Sequence, residues 1–217
     1  MKDSSSISVQ VIKRLPRYHR YLEDLRNAGV VRISSKELSQ RMGLTASQIR
    51  QDLNCFGGFG QQGYGYNIEQ LYNEIGNILG LNNNSRAILI GAGNLGRAIA
   101  THIRFESRGF ELIGVFDNND NIIGSEVGGV KVLPVNELEE FCKQFNPSAA
   151  ILCVPTEVAS DIVAQLISLG IKGFWNFTHY DISHYYKNIS VETVHLGDSL
   201  MTLRYQIKKY ENCGDEQ

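Results

Sequence analysis

The chain has 217 residues, 42% of them hydrophobic and 20% charged, with 21 basic against 23 acidic side chains and a net charge of -2. That mixture is too apolar for a disordered polymer and long enough for two small globular domains. No run of about 18 apolar residues exists, and the opening MKDSSSISVQ lacks an apolar signal segment, so a membrane span and export are not expected and a cytoplasmic location is. The four cysteines, Cys55, Cys142, Cys153 and Cys213, match neither a C-x-x-C pair nor a zinc-ligand spacing, which points to reduced structural thiols and no metal site.

Charge is distributed unevenly. Between Lys13 and Arg50 nine bases stand against three acids, whereas residues 81–217 carry 11 bases and 16 acids. A basic segment of this kind suits a polyanion, with a solvated helical face as the bland alternative. Within it, Leu15, Tyr18, Leu22 and Leu25 recur at helical spacing and predict a helix of about 12–15 residues that stops near Gly29. Ser34 and Glu37 form an S-x-x-E capping box that opens a second helix through Leu38 and Met42, ended by Gly43. Thr45 and Gln48 form a T-x-x-Q box that opens a third, through Ile49 and Leu53.

Helix, glycine-containing turn and helix packed on the first helix make a helix-turn-helix core. The third helix then offers Ser47, Gln48, Arg50 and Gln51 to base edges or phosphates, Arg50 first among them and Gln51 suited to adenine. Arg14 and Arg17 on the first helix join the set assigned to DNA. In NCFGGFGQQGYGYNI, glycines at 57, 58, 60, 63 and 65 alternate with Phe56, Phe59, Tyr64 and Tyr66. This predicts a tight β-ribbon, the wing of a winged helix, with Gly60, Gln62 and Tyr64 as further DNA contacts; a purely structural hairpin is the alternative. Ile68, Leu71, Tyr72, Ile75 and Leu79 give a last helix, and LNNNS marks a boundary between a domain over 1–80 and another over 85–217.

The second domain opens with the apolar strand Ala87 to Ile90, which runs directly into Gly91-Ala92-Gly93-Asn94-Leu95-Gly96 and the helical RAIATHI. This is G-x-G-x-x-G between a strand and a helix, and Asp117 closes the next strand, ELIGVFD, 21 residues past Gly96. Glycines permit the tight turn, the approach of pyrophosphate and the packing of helix on strand, while the helix N-terminus supplies N–H groups and Asp117 accepts from ribose hydroxyls. Asp117 would repel a 2′-phosphate, which favours NADH and NAD+ over their phosphorylated counterparts. A helix over 136–145, a strand over 149–155, a helix over 156–169 and KGFWNF continue a doubly wound α/β pattern. Ligand atoms are therefore expected near Val154, Pro155, Asn176, Phe177 and Thr178.

A dehydrogenase is the first alternative, since His102, His179, His184 and His195 and the tyrosines of FTHYDISHYY could carry protons. No substrate domain remains, however, once 80 residues serve DNA, and no catalytic residue is assigned. Leu196, Leu200, Leu203 and Ile207 place an apolar stripe on a terminal helix that can dock on its own sheet or on a partner's.

The segments QIRQDLNCFGGFGQQGYGY, LIGAGNLGRAIA and CVPTEVA resemble the redox-sensing transcriptional repressor Rex family over nearly the whole chain. The resemblance implies a homodimeric repressor that exchanges C-terminal helices, holds double-stranded operator DNA when NADH is scarce and releases it when NADH accumulates. Arg20 matches a family relay position. Gln51 and Gln62 stand where Lys and Arg are frequent, and His102 and His195 where Tyr and Asp are expected.

Overall fold

Ser8 accepts a hydrogen bond from the Gln10 N–H at 3.2 Å and starts α1, Val9–Asn27. The helix is longer than its apolar spacing predicts, because Val11 extends the buried stripe and Pro16 lies on the exposed side. The computed structural model describes residues 7–57, 60–61 and 64–214, with backbone alone at 60–61 and 212–214. It divides into two units, Met1–Asn83 and Asn84–Gln217.

In the first unit α1 is followed by β1 (Arg32–Ile33), α2 (Ser35–Met42) and α3 (Ala46–Asn54). Ser34 and Glu37 satisfy each other's backbone N–H groups at 3.1 and 2.8 Å, the full capping box, and Gly43 ends α2 in the left-handed region. Thr45 caps α3 by accepting from the Gln48 N–H at 3.1 Å, without a reciprocal side-chain bond.

Next come β2 (Gly60–Gln61), β3 (Gly65–Asn67) and α4 (Ile68–Leu79); the strands form an antiparallel sheet in the order β1-β3-β2. Gly65 has φ +70, and a Cβ there would stand 2.6 Å from the Ile33 carbonyl oxygen, so only glycine lets the ribbon lie against β1. Gly58, Phe59, Gln62 and Gly63, assigned to the wing from sequence, lie outside the described residues. Leu15, Tyr18, Leu22, Leu38, Ile49 and Ile75 are buried together in this unit's core.

The second unit contains β4 (Ser85–Ile90), α5 (Asn94–His102), β5 (Phe110–Asp117), β6 (Glu126–Val127) and β7 (Val130–Pro134). It continues with α6 (Leu138–Phe145), β8 (Ala149–Leu152), α7 (Thr156–Ser168), β9 (Gly173–Asn176), α8 (Ile182–Tyr185), β10 (Ser190–Thr193) and α9 (Leu196–Gly214). The sheet order is β10-β9-β8-β4-β5-β7-β6, parallel except for the β6–β7 hairpin. The doubly wound pattern places the reversal of strand order between β4 and β8, where ligand crevices form.

Three details depart from the sequence reading. The β6–β7 hairpin and edge strand β10 are additional; Ser190, Glu192 and Thr193 are polar and offer no apolar alternation. The strand expected over 149–155 ends at Leu152, which leaves Cys153 to Pro155 as a loop at the carboxyl edge.

One sheet face, with Ile88, Ile90, Leu152 and Phe174, is covered by Leu138, Cys142, Val163 and Leu166. The other, with Leu89, Val115 and Ile151, is covered by Ile99 and Ala100 of α5. Over β8, β9 and β10 this second face stays open as a groove of about 650 Å³, bordered by Ile103, Phe105, Ile151 and Trp175. Helix α9 does not fill it: Leu196, Leu200, Met201, Leu203 and Ile207 are all exposed, which removes docking on its own sheet from the two expected possibilities.

Candidate functional site

The loop after β4 is built by close backbone approach. Gly91 has φ +95, and a Cβ on it would stand 2.5 Å from the Cys153 carbonyl oxygen; a Cβ on Gly96 would collide with the Gly91 carbonyl oxygen. The start of α5 therefore packs directly on the turn. Over Gly93 a Cβ would meet nothing within 4 Å, so the loop presents open space where the turn meets the helix. Ser34, Thr45 and Asn67 cap α2, α3 and α4 with their side chains, whereas α5 begins at Gly93 with no side-chain cap. Its first-turn N–H groups have no intrahelical acceptor, and Asn94 and Leu95 are exposed there. Open space beside uncapped N–H groups fits a diphosphate.

Asp117, at the carboxyl end of β5, accepts from the Ala92 N–H at 2.6 Å through Oδ2 and from the Asn119 N–H at 2.9 Å through Oδ1. It thus fastens the glycine loop to the neighbouring strand. Each carboxylate oxygen has a second lone pair, so the same group can accept from a ribose hydroxyl. Gly91, Ala92, Gly93, Asn94, Leu95, Gly96 and Asp117 are brought together as one carboxyl-edge cradle whose donor and acceptor set fits a dinucleotide.

Val154 and Pro155 follow β8 on the same edge, half-buried and exposed respectively. Phe177 is half-buried and packs edge to face on Trp175, with ring centroids 4.8 Å apart. Two neighbours are buried. Asn176 is fully buried: its Nδ2 donates to the Tyr180 carbonyl at 2.9 Å, and its Oδ1 accepts from the Thr178 N–H at 3.0 Å and Oγ1 at 2.8 Å. The side chains of Asn176 and Thr178 are therefore engaged within their own loop at this edge. The α/β pattern gave the strand within KGFWNF but not the inward direction of its last residue.

The polar aromatics that follow make ring contacts with one another. His179 stacks on His195 at 5.2 Å, Tyr180 on Tyr185 at 5.4 Å, and Asp181 caps α8 by accepting from the His184 N–H at 3.2 Å. Burial pushes the Cys153 thiol up to about 12, which keeps it protonated at neutral pH. Among the described residues, no group of three or more His, Cys, Asp or Glu could hold a metal ion.

In the first unit α3 buries Ile49, Asp52 and Leu53 and exposes Ser47, Arg50 and Gln51, with Gln48 half-buried. The Arg50 guanidinium donates to Ser35 Oγ at 3.0 Å, a surface tether that a phosphate or base edge can replace. Arg17 is exposed, as is Tyr64, whose carbonyl accepts from Arg32 at 3.4 Å. Arg14 has a partner within the unit. Its guanidinium donates from Nε and Nη2 to the two Asp52 oxygens, both at 2.7 Å, because Asp52 is buried and needs a cation. Asp52 itself gave no functional signal in the sequence, standing as one acid in a helix.

Residues 6–54 match the family model "Putative DNA-binding protein N-terminus" and residues 82–180 match "CoA binding domain". A redox-sensing transcriptional repressor Rex of Clostridium perfringens (strain SM101 / Type A) is 51% identical over 205 residues, 94% of this chain and 96% of the relative. One of Clostridioides difficile (strain 630) is 51% identical over 209 residues, 96% and 99% of the two chains. The chain belongs to the Rex family.

Two solved structures extend the Rex likeness to three dimensions. RSP in complex with beta-NAD+ and operator DNA has a TM-score of 0.88 at 49% identity, covering 96% of both chains. RSP in complex with beta-NADH has a TM-score of 0.89 at 46% identity, covering 98% of this chain and 99% of that one. The resemblance drawn from the glycine-aromatic ribbon and the G-x-G-x-x-G segment thus led to the right family, and the fold agrees with that of a Rex repressor.

Proposed function

We propose that this protein is a transcriptional repressor that binds operator DNA as a homodimer and reads the balance of NADH and NAD+, letting go of DNA when NADH binds. One observation carries this reading: a single chain joins a capped helix-turn-helix, with Ser47, Arg50 and Gln51 outermost on α3, to a dinucleotide cradle closed by Asp117. Arg50 and Gln51 read base edges, Ser47 and Gln48 support them, and Arg17, Gly60, Gln62 and Tyr64 make flanking contacts. No residue is assigned to turnover, and the nucleotide acts as a signal.

The glycine loop and α5 hold the diphosphate, Asp117 holds the ribose, and Val154, Pro155 and Phe177 border the nicotinamide. An apolar border favours the neutral reduced ring over the cationic oxidised one. Two copies associate by exchanging α9, whose uncovered apolar stripe suits the open groove over β8, β9 and β10. If operator and NADH favour different arrangements of that dimer, each weakens the other by the same factor; a coupling of about 1–3 kcal/mol gives roughly 5- to 150-fold. Separate titration of a labelled operator complex with NADH and with NAD+ tests the reading by fluorescence anisotropy. Release by NADH at concentrations where NAD+ leaves the complex intact is expected; equal release by both overturns it.

A further inference from the structure

Resting on the DNA-reading role proposed for α3, we infer that Asp52 is a positioning residue for base recognition, its ion pair with Arg14 fixing the rotation of α3. Asp52 is 2% exposed, on the inner face of α3 beside the apolar Ile49 and Leu53. Both its oxygens are engaged by Arg14 of α1 at 2.7 Å, and Oδ2 also accepts from the Tyr18 hydroxyl at 2.9 Å. Three donor atoms from one helix thus converge on one carboxylate of another. Hydrogen bonding to Asp52 raises the Arg14 guanidinium from its ordinary value, and burial followed by the same carboxylate raises the Tyr18 phenol.

Stability alone does not call for this arrangement. Well-packed apolar side chains of similar volume often do as well as a buried ion pair, because desolvation offsets the attraction. What an apolar contact lacks is direction. A bidentate guanidinium–carboxylate pair has a fixed plane and fixed distances. Helix positions advance by about 100° per residue, so Arg50 stands about 200° around the axis from Asp52, nearly opposite. The pair holds α3 from behind while Ser35 tethers Arg50 in front at 3.0 Å. A rotation of about 10° moves a side-chain tip at the ~6 Å helix radius by roughly 1 Å, enough to lose a base-edge hydrogen bond.

The test uses the full chain, a duplex enriched by the wild-type protein from a random-sequence pool, and a scrambled duplex of equal length. The triple variant Arg14→Met, Tyr18→Phe, Asp52→Leu replaces the network by apolar groups, and Arg14→Lys keeps the charge but loses the fork. For the triple variant the expected results are a melting temperature near the wild-type value, unchanged NADH titration and scrambled-duplex affinity within about 2-fold. Affinity for the enriched duplex should fall at least about 10-fold, with Arg14→Lys losing roughly 3-fold. A purely structural role would lower the melting temperature and leave the ratio of enriched to scrambled affinity in the folded fraction unchanged. A wild-type ratio in folded Arg14→Lys, or in the triple variant, would overturn the inference. Failure of the wild type to enrich any sequence would remove the DNA-reading assignment itself, and the inference with it, before any variant is compared.

Discussion

The two units make their surfaces for binding from different parts of the chain. On α3 the groups proposed for contact are side chains, Ser47, Arg50 and Gln51, carried on a helix that is capped at its start and held by an ion pair behind. At the start of α5 they are backbone N–H groups, exposed because glycines keep side chains away and no side-chain cap competes for them. A surface of side chains changes its specificity one residue at a time without disturbing the helix that carries it. A surface of backbone admits no such gradation, since a single added methyl group displaces the turn.

That contrast can be broken most forcefully at Gly96. The Gly96→Ala variant sets a Cβ against the Gly91 carbonyl oxygen, and NADH affinity is expected to fall by about 100-fold or more while DNA binding survives. Isothermal titration together with duplex binding checks this; NADH binding at wild-type strength would refute the close-packed cradle. The counterpart on the side-chain surface is Arg50→Ala. It is expected to lower operator affinity by about 10- to 100-fold, the range for one lost bidentate base contact, with NADH titration and melting temperature unchanged. Undiminished operator retention in a gel shift would remove Arg50 from the reading face.

Asp117 sharpens the comparison, being a side chain that serves a backbone site. Its removal in Asp117→Ala takes away a ribose acceptor and the tie to the Ala92 N–H together, and NADH should weaken roughly 10-fold, less than for Gly96→Ala. An unchanged titration would exclude it from the ribose site. The smallest effect concerns the capping box of α2. The Ser34 backbone N–H, followed by its hydroxyl, holds the Glu37 carboxyl below its ordinary value, so its stabilising effect is present above the unfolded value and is lost as pH falls through the lower folded one. Glu37→Gln should therefore lower the melting temperature slightly at pH 7, and the difference from the wild type should shrink as pH falls below the ordinary carboxylate value, as thermal melts would record.

How far the sequence reached differs from element to element, for local reasons. Capping residues and the Gly43 stop were legible because each fixes hydrogen bonds within a few positions of itself, and the run from Ala87 through Gly96 to Asp117 because its glycine and acid spacing is a sequence motif. Strand β10 was not, since an edge strand with Ser190, Glu192 and Thr193 carries no apolar alternation. The capture of Arg14 by Asp52 escaped because the partner lies 38 residues away and only folding brings it near, and the inward turn of Asn176 because its bonds to Thr178 and Tyr180 follow no spacing that was read from the sequence. Asn176 and Thr178 are buried at the carboxyl edge, and half-buried Arg14 is paired with Asp52.

Taken by itself, the amino-acid sequence determined two units of different character, their helix starts and stops, the glycine cradle with its acid and the family to which the chain belongs. These depend on short-range geometry and on spacing that survives in one dimension. Tertiary structure alone decided which cations face outward and which are spent on a buried carboxylate, which loop residues turn inward, and that α9 leaves its own sheet face open. The first two follow from the cost of leaving a buried polar group or charge without a partner, met 38 residues away for Asp52 and within the loop for Asn176, and the third from the apolar stripe of α9 finding no cover on its own sheet.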